Sequence, residues 1–108
     1  MRVLGVIPAR LGSTRLLNKP LQLLAGEPLV TRVVQRVADY GLVDRLVVAT
    51  DSPMVVQVVE RTGVDAVLTD ERHSTGTERV AEVASRPEFR DFDVIVNTNK
   101  GDLEIWRV

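Results

Sequence analysis

The sequence predicts an α/β fold: an open, mostly parallel sheet with helices on its faces. Short apolar runs rich in β-branched residues alternate with stretches whose apolar residues recur three and four positions apart. Four such runs and three such stretches follow one another as strand, helix, strand, helix, strand, helix, strand. That order is the mark of βαβ units, whose crossovers are right-handed. At 108 residues the chain is long enough for one small domain and too short for two.

Residues 2–7, RVLGVI, form the first apolar run, suit a buried parallel strand and are ended by Pro8. From Pro28 onward Leu29, Val30, Val33, Val34 and Val37 make a helix stripe that ends near Gly41. RLVVAT, residues 45–50, is the second strand. Ser52 and Pro53 read as the cap and first position of a helix whose buried face is Val55, Val58 and Val59, with Met54 also assigned to the core. Gly63 closes that helix, and residues 64–68 form the third strand. TGTE, residues 75–78, has the spacing of a capping box and opens a helix carrying Val80, Ala81, Val83 and Ala84 that stops before Pro87. DVIVN, residues 93–97, is the fourth strand.

Apolar residues at 44%, charged residues at 27% and a formal charge of −1 describe an ordinary globular chain. This balance points to neither a nucleic-acid nor a membrane partner, and no apolar run approaches the roughly 20 residues of a membrane span. Met1 leads directly into Arg2 and a short mixed segment, so no signal peptide is expected. The absence of cysteine removes disulfides, thiolate metal sites and thiol nucleophiles together and agrees with a reducing compartment. A cytoplasmic location is expected.

In open parallel sheets ligands bind beyond the carboxyl ends of the strands. The loops to inspect are therefore residues 8–20, 51–53, 69–77 and the segment from Asn97 onward. The first lies within IPARLGSTRLLNKPL, residues 7–21. Gly12 lets the backbone approach a ligand closely, Ser13 and Thr14 add hydroxyl and amide donors, and Arg10, Arg15 and Lys19 supply charge to a polyphosphate. It is not a Walker loop, and no GxGxxG is present. A solvated basic turn is the plain competitor, and on spacing alone the two readings stand level. The position at the end of a strand favours the anion site.

Four further stretches extend the pattern: GEPLVTRVVQRV (residues 26–37), VVATD (47–51), HSTGTERVAEV (73–83) and VIVN (94–97). Together with the first loop they resemble the sugar-activating cytidylyltransferases, most nearly the 3-deoxy-manno-octulosonate (Kdo) cytidylyltransferase family. That family writes the first loop approximately as IPAR, two residues, STRLP, one residue, KPL. It writes the later stretch as H, one residue, SGT, an acidic residue and R. The resemblance covers residues 1–97 almost without a gap.

The resemblance implies a Rossmann-like sheet of the nucleotide-diphospho-sugar transferase type. It also implies a reaction in which CTP and Kdo give CMP-Kdo and pyrophosphate for lipopolysaccharide synthesis, the sugar hydroxyl attacking the α-phosphorus. Such a transfer needs neutralised phosphates and a held nucleophile, supplied by loop cations and Mg²⁺. Arg10 and Lys19 fall on the family's triphosphate-binding cations, and Ser13, Thr14 and Arg15 complete the cradle. Thr75, Gly76, Thr77 and Arg79 fall where the family lines the cytosine pocket. Asp102 is the candidate magnesium ligand, and the family is homodimeric. Plainer roles stand beside these: Arg15 in a surface ion pair, His73 shaping the turn before a helix rather than acting as a base, Glu78 as a helix cap and Asp51 fixing its turn.

The chain departs from the family in places. Leu17 stands for a proline, and Thr75 for a serine that keeps its hydroxyl. TNKGDLEIWRV, residues 98–108, stands where the family has VQGDEP, with Gly101 and Asp102 one residue late and Leu103 after them. Residues 1–97 thus read as the nucleotide-binding half of a cytidylyltransferase domain and residues 98–108 as a divergent tail. The family chain is more than twice as long, and its sugar-binding residues, second metal-binding aspartate and dimer surface have no matching positions. The chain by itself is therefore expected to be inactive or weakly active. A non-catalytic nucleotide-binding fragment, an acylneuraminate-type relative, and a fold kept for association alone are the other readings. The fourth strand is expected to expose an edge, which the tail with Trp106 either folds back over or, as unrelated read-through sequence, leaves open.

Overall fold

The computed structural model describes residues 1–10, 21, 23–24, 26–99 and 102–107. In chain order these form β1 (Val3–Ala9), β2 (Leu23–Leu24), β3 (Glu27–Pro28), α1 (Leu29–Asp39), β4 (Arg45–Thr50), α2 (Pro53–Glu60) and β5 (Asp65–Leu68). Then come α3 (Gly76–Ala84), a single 3₁₀ turn (Pro87–Phe89), β6 (Val94–Asn99) and β7 (Asp102–Arg107). Five strands make one sheet in the order β5-β4-β1-β6-β7, and β2 and β3 make a small antiparallel ladder of their own. β5, β4, β1 and β6 run parallel. The order reverses between β1 and β6, which makes their carboxyl ends the topological switch point.

The strand sequences explain the two-sided core. β1 sits between two parallel neighbours and buries both faces, so it reads as a continuous apolar run rather than an alternating one. Leu4 and Val6 point to one face, where they pack with Val47, Ala49, Ile95, Phe89, Phe92 and the α3 residues Val80 and Val83. Ile7 and Ala9 point to the other, with Val48, Val30, Val34 and Val37 of α1, and Val55 and Val59 of α2. Two crossovers therefore cover one face and the third covers the other.

The helices begin as their sequences require. The Ser52 side chain accepts from Val55 N, with Pro53 in the first turn of α2 where its missing N–H costs nothing. The valine stripe of α1 is narrower than its spacing predicts: Val30, Val34 and Val37 are buried, whereas Val33 is 40% exposed. Met54, assigned to the core from sequence, is 61% exposed. Each lies one residue, or about 100°, before an inward valine and so turns to the flank of its helix.

The sheet corrects the sequence expectation in one further place and decides it in another. β1 continues through Pro8, which the sequence reading took as the strand's end. The ladder with β6 stops at Val6 opposite Asn97, while Pro8 still pairs with Ala49 of β4. Pro8, lacking an N–H, thus sits where the ladder on one side has already ended. The edge expected on the fourth strand is covered by the tail, one of the two outcomes the sequence leaves open. Residues 102–107 fold back as β7, antiparallel to β6, with Asn97 opposite Glu104 and Val94 opposite Arg107.

Two aspartates staple the amino end of the sheet. Asp44 accepts from Val3 N at 2.6 Å and its own N–H donates to Val3 O at 2.8 Å. Asp93 does the same around Arg2, accepting from its N–H at 2.9 Å and donating to its carbonyl at 2.9 Å. The guanidiniums of Arg2 and Arg45 lie over the rings of Phe92 and Phe89, 4.4 and 5.1 Å from the centroids. These contacts tie the amino end together, at the opposite end of the strands from where ligands bind in sheets of this kind.

Candidate functional site

Arg10 and the loop of residues 69–75 meet at the carboxyl end, beside the switch point. Arg10 directly follows β1, is exposed, and places Nη1 3.4 Å from the carbonyl oxygen of Ser74, a long contact. Ser74 belongs to the loop of residues 69–75 that joins β5 to α3. The described beginning of the first candidate stretch and the start of the second are therefore neighbours in space. Of the other first-loop candidates, Ser13, Thr14, Arg15 and Lys19, together with Leu17, lie outside the described residues. Asp102 opens β7, and its side chain lies outside what is described.

The second loop is held from one face of α3. Thr75 caps the helix, its hydroxyl accepting from Glu78 N at 3.1 Å. The capping box expected from TGTE is only half formed. The Glu78 carboxylate does not return to Thr75 N; it accepts from the N–H and hydroxyl of Ser74, at 3.2 and 3.0 Å. These donors hold the Glu78 carboxyl below its usual range. Gly76 and Thr77 form the first turn of α3, Thr75 and Thr77 exposed and Gly76 half-buried.

Arg79 is 1% exposed. Its Nη1 donates to Thr69 Oγ1 and, at 3.1 Å, to the Asp70 carbonyl, so it anchors the start of the loop. Its Nη2 is buried and has no hydrogen-bond partner among the described residues. One turn on, Glu82 Oε1 accepts from Asp70 N at 2.9 Å and lies 2.8 Å from His73 Nε2. Glu82 Oε2 accepts from Arg86 Nη2 at 2.6 Å, and Arg86 also donates to the Leu68 carbonyl. Burial alone would raise the Glu82 carboxyl, but the Asp70 N–H, His73 and Arg86 outweigh it and lower it. At the loop's tip Asp70 and Arg72 form a two-pronged pair, which holds the Asp70 carboxyl well below the ordinary carboxylate range.

His73 thus shapes the turn before α3, as its place in the sequence suggested. Glu82 and Arg86 were not singled out from sequence. The signal was there: Glu78, Glu82 and Arg86 recur every four residues on one helix face, directly after a loop rich in polar groups. Asn97 was named only as a strand end. It is fully buried in β6, and among the described residues neither atom of its amide has a hydrogen-bond partner. Among the described residues no group of three or more His, Cys, Asp or Glu side chains gathers that could hold a metal ion. Among them too, no helix is long and apolar enough to cross a membrane.

Comparison with known proteins fits this geometry. The cytidylyltransferase family model matches residues 4–103. A 3-deoxy-manno-octulosonate cytidylyltransferase from Gemmatimonas aurantiaca is 57% identical over 102 residues, which are 94% of this chain and 39% of that protein. One of the same name from Yersinia pseudotuberculosis is 48% identical over 94% of this chain and 40% of its own length. The solved structure of a CMP:2-keto-3-deoxy-manno-octonic acid synthetase complexed with CTP superposes with a TM-score of 0.83 at 38% identity. That match covers 94% of this chain and 41% of the neighbour. The chain spans about two fifths of the length of these relatives. A match running through nearly all of this chain, on a sheet of the same architecture, shows that it belongs to the cytidylyltransferase family.

Proposed function

We propose that this chain is the nucleotide-binding half of an enzyme that activates Kdo with CTP, giving CMP-Kdo and pyrophosphate for lipopolysaccharide synthesis. One observation carries the reading. Arg10, at the strand end where the sheet order reverses, reaches the loop that opens α3, so the triphosphate stretch and the nucleoside stretch converge. A polyphosphate laid across that end meets the Arg10 guanidinium, with Lys19, Ser13, Thr14 and Arg15 proposed to complete its cradle. Cations in such a cradle act by neutralising the charge that builds on pyrophosphate as it leaves. The loop of residues 69–75 and the first turn of α3, with Thr75, Gly76 and Thr77, then face the nucleoside, and Arg79 keeps that loop in place from below.

CTP as the nucleotide is supported by the CTP held in the solved neighbour. Kdo as acceptor rests on the names of the relatives. Magnesium, a homodimeric assembly and a cytoplasmic setting belong to the reading as proposals from the family resemblance. Magnesium would neutralise phosphate charge when bound. Among the described residues no ligand set is assembled for it, so Asp102 stays its candidate.

The test is a calorimetric titration of CTP, with and without Mg²⁺, into the folded chain and into an Arg10→Ala, Lys19→Ala variant. Saturable binding that the double variant loses by at least tenfold is expected, since each cation contributes on the order of 1 kcal/mol or more to a phosphate contact. Absence of CTP binding in a folded sample overturns the reading and leaves a non-binding relative of the family.

A further inference from the structure

We propose that His73 is a positioning residue for the nucleotide loop: bridging Glu82 and Glu78, it holds residues 73–79 against Arg10, and holds them more firmly when protonated. Its bearing on CTP rests on the function proposed above, whereas the latch itself does not.

The geometry fixes the ring. Glu82 Oε1, 2.8 Å from Nε2, belongs to an ionised carboxylate that can only accept, so the N–H is on Nε2. In the neutral ring Nδ1 then carries a lone pair, and it faces Glu78 Oε2 at 3.7 Å. A lone pair against a carboxylate is unfavourable, and a proton placed on Nδ1 turns that contact into an ion pair. His73 is the only histidine and imidazole is the side chain that changes charge near neutral pH. Its side chain is 22% exposed, and those of Glu78 and Glu82 are 50% and 27% exposed, so the bridge is partly shielded from solvent.

The charged groups around the ring have assigned partners. On its own loop Asp70 pairs with Arg72, with Glu71 between them. On α3 Glu78 also binds Ser74, and Arg79 is tied to Thr69 and Asp70. Beyond α3 Arg86 pairs with Glu82, and from β1 Arg10 reaches the Ser74 carbonyl. Ser74 is the residue next to His73, hydrogen-bonded to the same Glu78 that faces Nδ1. Freeing the ring from Glu78 therefore loosens the segment that meets Arg10.

The experiment follows backbone amide exchange of residues 69–79 in the full chain without nucleotide, alongside the His73 ring signals by NMR, as pH is raised through that ring's titration. After correction for intrinsic exchange, loop protection is expected to fall about threefold in step with the ring, the scale of one partly exposed ion pair. His73→Gln keeps a donor for Glu82 without a titrating ring and should be flat over the same interval. His73→Ala should lose about tenfold protection throughout. A purely scaffolding role would move the core amides of β1 and β4 together with the loop, whereas the latch moves the loop alone. CTP affinity, titrated at the same pH values, should fall about threefold in the wild type and stay level in His73→Gln. Loop protection indifferent to the ring's proton, or a pH response kept in His73→Gln, overturns the proposal. If no variant binds CTP, the nucleotide reading fails while the exchange data still decide the latch. If the variants do not fold, the coupling of ring and amide signals in the wild type decides it alone.

Discussion

Glu82 accepts three donors from three places: the Asp70 backbone, the His73 ring and the Arg86 guanidinium. Replacing it by Gln keeps the shape and one carbonyl acceptor but removes the charge that strengthens all three. The change should cost about 1–2 kcal/mol of stability at pH 7, measured by urea unfolding. The same site sets an acid limit. The folded carboxyls of Asp70, Glu78 and Glu82 are all lowered, so their contribution is complete above the unfolded value, about 4, and is lost as pH falls through the folded values. Glu82→Gln should therefore close part of its gap to the wild type on going from pH 7 to pH 3. A gap that stays constant would show that the carboxylate charge is not what matters. Asn97 poses the opposite case, a fully buried amide on the face of Ile95 with neither atom paired among the described residues. An unpaired buried amide costs stability, so the near-isosteric Asn97→Leu should gain about 1 kcal/mol. A loss of stability would mean that an ordered water satisfies the amide. Asn97 does not stand out in a linear reading, because its burial depends on which strands meet, whereas Glu82 is marked there only by its four-residue spacing from Glu78 and Arg86.

At the scale of elements the sequence was legible wherever local chemistry decides. The Ser52–Pro53 start of α2, the Thr75 cap of α3 and the strand at residues 45–50 all follow from side chains acting on their own backbone. It was less legible where a neighbour decides. Pro8 stays in a strand because of where the β6 ladder ends, and Val33 and Met54 turn outward because adjacent valines already fill the interface. Gly5 is a further case, since nothing local marks it as more than a weak strand residue. A Cβ built there would lie 2.9 Å from Val43 Cγ1 and 3.1 Å from Leu46 Cδ1. β1 therefore needs a glycine so that the turn before β4 can close against it. Gly5→Ala should destabilise the chain by about 1–3 kcal/mol through overpacking. Adding Val43→Ala should return part of that loss, and a double-mutant cycle with no coupling between the two would refute the contact as the cause.

Over the whole molecule the described residues are asymmetric along the strands: aspartates and arginine–aromatic contacts close the amino end, while Arg10 and the loop of residues 69–75 lie at the carboxyl end. They are asymmetric across the sheet as well. β6 carries the apolar run Val94, Ile95 and Val96, and without β7 it would present that run as an unpaired edge, the arrangement that templates association. β7 pairs with all six residues of β6 and passes the outer edge to a strand whose sequence includes Asp102, Glu104 and Arg107. Charges on an edge strand discourage a further strand from adding. The resemblance read from the sequence stops at Asn97, short of the residues that make β7. Shortening the chain to end after Asn99 should therefore leave the parallel sheet and both helical layers in place but uncover β6. Sedimentation velocity across a hundredfold concentration range should show the shortened chain associating at concentrations where the full chain does not. A shortened chain that stays monomeric throughout would mean that the β6 edge is protected by its own twist or side chains, and that β7 is not what keeps the sheet from growing.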